Sequence, residues 1–542
     1  MRARRTTQLC DAYVADNARR EGCFLLSIIN SCAVFGINGH PLKVEVDVSA
    51  GLPAFDIVGL PDAAVRESKE RVRAAIRNAG FEFPLRRLTV NLAPAALRKA
   101  GSTFDLPIAV GILSATGQIN AEEWLAKTAL VGELSLEGAV RPVPGTLVMA
   151  DCLSKEEGIE VLFVPEENGQ EASLVEGIEV HAVGHLRNLA EILCGNEQSA
   201  PLRADIEKMK KMFPAGPEED GLDMGEVKGQ EGVKRALEVA AAGGHNIILI
   251  GPPGSGKTML ARRLPGILPP MTLEESLQTT KLYSVGGMLP RGQALIIKRP
   301  FRAPHHGASS ASIIGGGTTP IPGEISLASH GVLFMDEMPE FSRDVLEALR
   351  QPLEDRCVTV SRVSGRVDFP ADFQLVGALN PCPCGYYGDS LKLCTCTPHM
   401  IEKYLRKISG PLMDRIDLHI EVPRVKYQEL SSANKSKPGA SSAEIRERVI
   451  KARDLQAARF AGSGVRCNAQ MRRRDVQLFC RLGEEAGGLM REAFARLQLS
   501  ARAHDRILKV ARTIADLAGE REILPEHIAE AIQYRNMDRS IG

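Results

Sequence analysis

HNIILIGPPGSGKTML, His245 to Leu260, decides the fold of this chain. Four apolar residues, Ile247 to Ile250, read as a short buried strand, and a helical pattern begins at Lys257. Between them Gly251, Pro252, Pro253, Gly254, Ser255, Gly256, Lys257 and Thr258 match a phosphate-binding loop in full. Glycines let successive backbone N–H groups turn inward onto phosphate oxygens. A chance glycine-rich turn would rarely have both a strand before it and a helix after it. The loop therefore predicts a parallel sheet with helices on both faces.

Two further strands complete the chemistry. GVLFMDEM, residues 331–338, carries four apolar residues and then Asp336 and Glu337. Ligands in open α/β sheets sit at the carboxyl ends of strands, where this acidic pair emerges. Lys257 places a positive charge on the β and γ phosphates of ATP, and Thr258 and Asp336 hold Mg²⁺. Glu337 polarises the attacking water, as a base or by orienting it. FQLVGALN, residues 373–380, ends in Asn380, whose amide positions that water or senses the γ-phosphate. Alone, each would read as an exposed acidic pair or a turn asparagine. The order of loop, acidic strand and polar-ended strand favours the functional reading.

The chain has 542 residues, room for roughly three domains at about 100–200 residues each. Its formal net charge is zero, so any nucleic-acid contact must come from local patches. Aromatics are only 4%, with one tryptophan, which argues against a base-stacking platform. Twelve cysteines in so long a chain do not make a disulfide scaffold. No apolar run is long enough to span a membrane. Basic residues precede the run CFLLSII, residues 23–29, in imitation of a secretory signal, but Asp11, Asp16 and Glu21 interrupt it. A cytoplasmic protein is expected. Residues 1–25 read as a leader, 26–200 as an α+β domain, 201–222 as a charged linker, 223–425 as the nucleotide-binding α/β domain and 445–542 as a helical domain.

Longer stretches are more particular: FRAPHHGASSASIIGGG, PIPGEISLASHGVLFMDEMPEF, NPCPCGYYG and SGPLMDRIDLHIEVP, with GLPAFDIVGLPDAAVRESKERVRAAIRNAGFEFP and LSARAHDRILKVARTIADLAG towards the two ends. These resemble the magnesium-chelatase-like AAA+ ATPases of the YifB/ComM group, over nearly the whole chain. The resemblance implies a homo-hexameric ATPase and, for ComM members, a motor driving DNA branch migration in natural transformation, with single-stranded or branched DNA as partner. The alternative is a chelatase-type ATPase that remodels a protein partner for metal insertion. By matching motif, Arg415 in LMDRID corresponds to the arginine finger, which reaches a neighbouring subunit's γ-phosphate. Arg502 in SARAHDR corresponds to the second sensor arginine of the helical lid, with Arg506 and Arg512 as competitors. The α+β domain resembles the Lon-protease-like, S5-like fold. Alignment puts Thr103 at the Lon serine and Leu147 at the Lon lysine, so no peptidase activity is expected. Basic residues of RESKERVRAAIR face either DNA phosphates or solvent.

Two segments remain. Cys382, Cys384, Cys394 and Cys396 lie within fifteen residues after a strand, a set suited to one Zn²⁺. The alternative is reduced cysteines in an ordered loop. RPFRAPHHGASSASIIGGG offers Arg299, Arg302, His305 and His306 as pore or DNA contacts, or else as a subunit-interface loop.

Overall fold

In LKVEVDVS every second side chain is apolar, which makes one strand face a core face. The strand it belongs to is the second of a seven-stranded mixed sheet. The computed structural model describes residues 25–95, 99–204, 222–290, 292–317, 320–362, 365–389, 391–425, 439–497 and 500–535. The N-terminal sheet takes β1 (Leu25–Phe35), β2 (Asn38–Ser49), β3 (Ala54–Val58), β4 (Arg87–Ala93), β5 (Thr128–Leu130), β8 (Val161–Pro165) and β9 (Glu179–Val183), with β6 (Glu133–Leu134) and β7 (Val140–Arg141) as a side hairpin. Its order is β3-β4-β2-β1-β5-β8-β9. β1 and β2 pair antiparallel from Leu25 and Val48 to Phe35 and Asn38. The apolar run that imitates a signal peptide thus opens the middle strand of a sheet, with Ile29 and Cys32 fully buried. The rest of the leader lies outside the described residues, as does most of the expected linker.

Helices pack on both faces of this sheet. α1 (Ala63–Asn78) starts at Asp62, whose carboxylate accepts the Val65 N–H at 2.9 Å. α2 (Asp105–Ala115) is apolar all round and almost wholly buried, as its sequence FDLPIAVGILSA predicts. TALVGELSLEGAV reads as one hairpin but divides. Thr128–Leu130 leaves to pair with β1 and β8, and only β6 and β7 form the hairpin, turning at Glu137 and Gly138. α3 (Thr146–Leu153) follows it.

The second sheet holds β10 (Ile247–Ile250), β11 (Phe301–Arg302), β14 (Val332–Met335), β17 (Gln374–Leu379) and β18 (Leu418–Glu421). All are parallel, in the order β11-β14-β17-β10-β18. Both faces are buried. Ile247, Leu249, Phe334 and Val376 enter one core with α4 (Glu231–Gly243) and α5 (Lys257–Ile267). Ile248, Ile250, Leu333 and Leu375 enter another on the opposite face. The hairpin β12 (Gly315–Gly316) and β13 (Ile321–Pro322) and the hairpin β15 (Cys357–Arg362) and β16 (Gly365–Pro370) stand beside the sheet. α6 (Leu273–Val285) and α7 (Pro398–Leu405) belong to the same unit.

The C-terminal region is helical: α8 (Ser442–Arg459), α9 (Arg473–Phe479), α10 (Glu484–Leu497), α11 (Ala501–Ala518) and α12 (Pro525–Gln533). Ile445, Val449, Ile507 and Ile514 share the first core with α4 and α5, so this region packs on the sheet unit directly. The N-terminal unit docks there too. Lys281 on α6 pairs with Asp151 on α3 at 2.9 Å, and the Gly145 N–H donates to the Ser284 carbonyl at 2.9 Å. At a second point Phe35 and Ile37, at the β1–β2 turn, pack on the cluster that holds Val358, Val367 and Phe369 of the β15–β16 hairpin.

Candidate nucleotide site

Register places the site. Ile250 pairs with Leu379 and Met335 with Gly377, so Gly251, Asp336 and Asn380 leave three neighbouring strands at one edge of the sheet. Gly256 caps α5 at φ 89°, and Lys257 is the first helical residue. A side chain at Gly251 would put its Cβ 2.3 Å from the Val422 carbonyl oxygen, so only glycine fits there.

The Lys257 ammonium is folded into the loop. It donates to the carbonyls of Gly251 and Pro252 at 2.7 and 3.1 Å and to Asn380 Oδ1 at 3.2 Å. Burial holds it below the usual lysine value, against the charges of Asp336 and Glu337. Thr258 Oγ1 donates to Asp336 Oδ2 at 2.8 Å. That is one hydroxyl and one carboxylate oxygen adjacent, the oxygen pair a Mg²⁺ ion takes. The Ser255 hydroxyl is buried with no partner. A cradle with a desolvated ammonium, an orphaned hydroxyl and a hard-oxygen pair fits a magnesium-bound polyphosphate. The Tyr404 hydroxyl lies near the Asn380 backbone, and burial raises it to about 12.

Glu337 sits in the left-handed region at φ 49°, with its side chain 54% exposed at the mouth of the site. His306 Nδ1 stands 3.6 Å from its carboxylate. His306 therefore faces the acidic pair of its own chain. Arg299 and Arg302 are not free for a pore. Arg299 is buried between Glu275, at 3.0 Å, and the carbonyls of Pro269, Pro270 and His330. Arg302 forks onto Glu324 at 2.6 and 2.7 Å. Gln230, which sequence reasoning passed over, bridges the Ser255 and Pro423 carbonyls at 2.9 Å each, and its Oε1 is buried without a partner. The only signal was a Gly-Gln pair just before a helix.

Arg415 lies at the opposite edge. It precedes β18, whose Leu418 pairs with Ile247, the first residue of the loop strand. Its guanidinium is 7% exposed, 2.5 Å from Glu354 Oε1 and 2.6 Å from the Pro411 carbonyl, and its Nε has no partner. Arg506 donates to the Arg415 carbonyl at 3.1 Å and pairs with Asp417. Arg512 is buried against Asp516 and the carbonyls of Glu520 and Arg521. Of the three candidate lid arginines, Arg502, in the first turn of α11, is the exposed one and has no ion pair among the described residues. The start of α11 thus lies beside Arg415, away from the phosphate loop of its own chain.

The four cysteines converge. Their sulfurs all lie within 4.8 Å of one another. Backbone N–H groups of Thr395 and Tyr386 hold the Cys384 thiol down at about 5.

Leu147 is the residue that the resemblance matches to the Lon lysine. Leu147 is 1% exposed and packs with Leu174 and with Leu295 of the nucleotide-binding unit. Ser102 donates to Glu133 instead. On α1, Arg71 forks onto buried Asp105 at 2.7 and 3.1 Å, and Arg73 pairs with Glu70. These two basic residues of the helix are engaged within the chain.

Residues 223–430 match the family described as magnesium chelatase, subunit ChlI. Residues 44–168 match subunit ChlI of Mg-chelatase, and 439–535 match the C-terminal part of that subunit. The chain is 44% identical over 519 residues to competence protein ComM of Haemophilus influenzae, covering 95% of this chain and 98% of that protein. It is 42% identical over 517 residues to the uncharacterized protein YifB of Escherichia coli, again covering 95% and 98%. A shorter match, 28% over 204 residues, joins 34% of the chain to 36% of Lon protease 2 of Bacillus subtilis.

Proposed function

The chain belongs to the magnesium-chelatase-like AAA+ family of the ComM and YifB proteins, and from that premise we propose that it is an ATP-hydrolysing ring motor that works on DNA. One observation carries the ring: the phosphate cradle and Arg415 stand at opposite edges of one sheet. A single copy therefore holds a cradle without its finger and a finger without its cradle. Closing a hexamer brings each finger edge against the next copy's cradle edge.

In this reading Lys257, Thr258 and Asp336 bind and orient the magnesium-bound triphosphate, and Mg²⁺ neutralises charge between the β and γ phosphates. Glu337 orients the attacking water and takes its proton. Asn380, held by Lys257, fixes the γ-phosphate end. Arg415 leaves Glu354 to stabilise charge on the neighbour's phosphoryl group, and Arg502, beside it, serves the same neighbour. Hydrolysis then needs assembly. The N-terminal unit is a docking and assembly module without peptidase chemistry, since Leu147 fills the base position with core.

The 44% identity to a competence protein supports a ComM-like role in competence; movement of branched DNA during transformation or recombination is the activity proposed for that role. ATPase rates at low salt with single-stranded, forked and three-way-junction DNA test it. Stimulation of several-fold by branched DNA, with strand exchange in the same tube, is expected. A rate indifferent to every DNA, in a preparation that hydrolyses ATP, would replace this reading with the chelatase-type motor acting on a protein partner.

A further inference from the structure

No described residue between Asn380 and Thr397 lies in a helix or strand. A loop of this length in a compact unit needs something to order it. An apolar core does not supply it: Tyr387, Leu391 and Leu393 are exposed, the last at 89%. What the segment has instead is sulfur. Cys382 Sγ is 3.3 Å from Cys384 Sγ and 3.7 Å from Cys394 Sγ, and Cys384 Sγ is 3.6 Å from Cys394 Sγ. Four ligands at a zinc–sulfur length of about 2.3 Å in a tetrahedron stand about 3.8 Å apart. An iron–sulfur cluster interposes its own atoms and would spread the sulfurs further. The Cys384 N–H donates to Cys396 Sγ and the Cys396 N–H to Cys394 Sγ, both at 3.4 Å. Such donors orient thiolates and soften their charge. Two cations, Lys392 and Arg424, lie over the Tyr386 ring at 4.1 and 5.5 Å, close to where a tetrathiolate would leave net negative charge.

The lobe is wedged against the nucleotide site. Asn380 precedes Cys382 by two residues. Gly385, at φ 83°, backs onto the phosphate loop: a Cβ there would be 2.7 Å from Pro253 Cδ and 3.8 Å from Asn380 Cγ. On the far side Arg424 ties the lobe through Asp389 at 2.9 Å, two residues past the Val422 carbonyl that closes on Gly251.

We propose that Cys382, Cys384, Cys394 and Cys396 hold one zinc ion as a tetrathiolate, and that the zinc-bound lobe braces Pro253 and Asn380 so that nucleotide affinity depends on the metal. The brace rests on reading Gly251 to Thr258 as the ATP cradle; the metal site does not.

The test uses the full chain. Elemental analysis of the purified protein should give one zinc per chain, and less than a tenth of that in Cys382→Ser/Cys394→Ser. Binding of a fluorescent ATP analogue, in excess Mg²⁺, should weaken at least tenfold in that variant. Because the variant can fail to fold, the same reading is taken on the unaltered protein. Mercurial release of its zinc should weaken the analogue's binding, and thiol plus Zn²⁺ should restore it. No zinc, or iron in its place, overturns the site. Zinc released with nucleotide affinity unchanged overturns the brace. Lys257→Ala should lose the analogue and keep its zinc. Zinc at one per chain in an unaltered protein that binds no analogue supports the metal site and overturns the ATP reading with the brace.

Discussion

Glu337 is the residue on which turnover should hinge. Its side chain projects from a left-handed turn at the edge where Lys257, Thr258 and Asp336 interlock, and takes no part in the side-chain hydrogen bonds among them. Glu337→Gln keeps shape and removes the base. Turnover should fall about 10²- to 10⁴-fold, in the range of a lost general base, while affinity for a fluorescent ATP analogue holds. Steady-state ATPase and equilibrium binding on one preparation check both halves. An unchanged rate removes Glu337 from the chemistry. At this scale the sequence was most readable where spacing is local. Gly251 to Thr258 is a contiguous motif, and Asp336 and Asn380 each end an apolar strand. It was least readable where chemistry is set by distance in space. His306 looks like a pore contact until Glu337 is found 3.6 Å away. Arg299 looks exposed in a basic loop until Glu275, from another helix, closes on it.

Among elements, the junction of the helical region with the sheet unit is polar at its centre. His245, before β10, is fully buried between Asp417 Oδ2 at 3.3 Å and Thr513 Oγ1 of α11 at 2.8 Å. Burial pushes the imidazole below its usual value, against the pull of Asp417. Burial would raise the Asp417 carboxyl, but Arg506 and His245 outweigh it and hold it well below the carboxylate range. Both groups are depressed on folding, so both contribute stability that is lost as pH falls. For His245 the loss begins at its unfolded value of about 6.5. For Asp417 it begins only below about 3.9. Thermal or denaturant unfolding from pH 8 to 5 should therefore be flat in this contribution above about 6.5. Below it, stability should fall by up to about 1.4 kcal/mol per pH unit. His245→Gln should lessen that slope, and an identical slope in the variant assigns it elsewhere. The strand–helix alternation around this junction was legible from VLFM, IILI and QLVGAL, because strands buried on both faces read as continuous apolar runs. The first strand was not. Leu25–Phe35 opens on an apolar run that imitates a secretory signal, and only pairing with β2 identifies it as a strand.

For the whole molecule, the separation of cradle and finger makes a prediction about mixtures. Arg415→Ala should bind the ATP analogue with near-native affinity and turn it over at least 10³-fold more slowly, the scale of a lost arginine finger. Mixed with Glu337→Gln it should regain activity, because some interfaces then pair an intact cradle with an intact finger. Full activity of Arg415→Ala alone, or of a strictly monomeric preparation, contradicts the ring. Assembly between copies leaves no periodic mark in a sequence, so the role proposed for Arg415 was accessible only through resemblance. The β15–β16 hairpin adds a mechanical consequence. Gly365, at φ 137°, abuts the Phe35 ring: a Cβ would sit 3.1 Å from it, tighter than an ordinary contact, on a backbone that L side chains rarely adopt. Together with the Lys281–Asp151 tie, this joins the N-terminal unit to the nucleotide-binding unit at two places. If the proposed ATP turnover displaces the hairpin, that displacement reaches the N-terminal sheet through this contact, and a bulky residue at Gly365 should weaken the coupling and leave the Lys281–Asp151 tie in place.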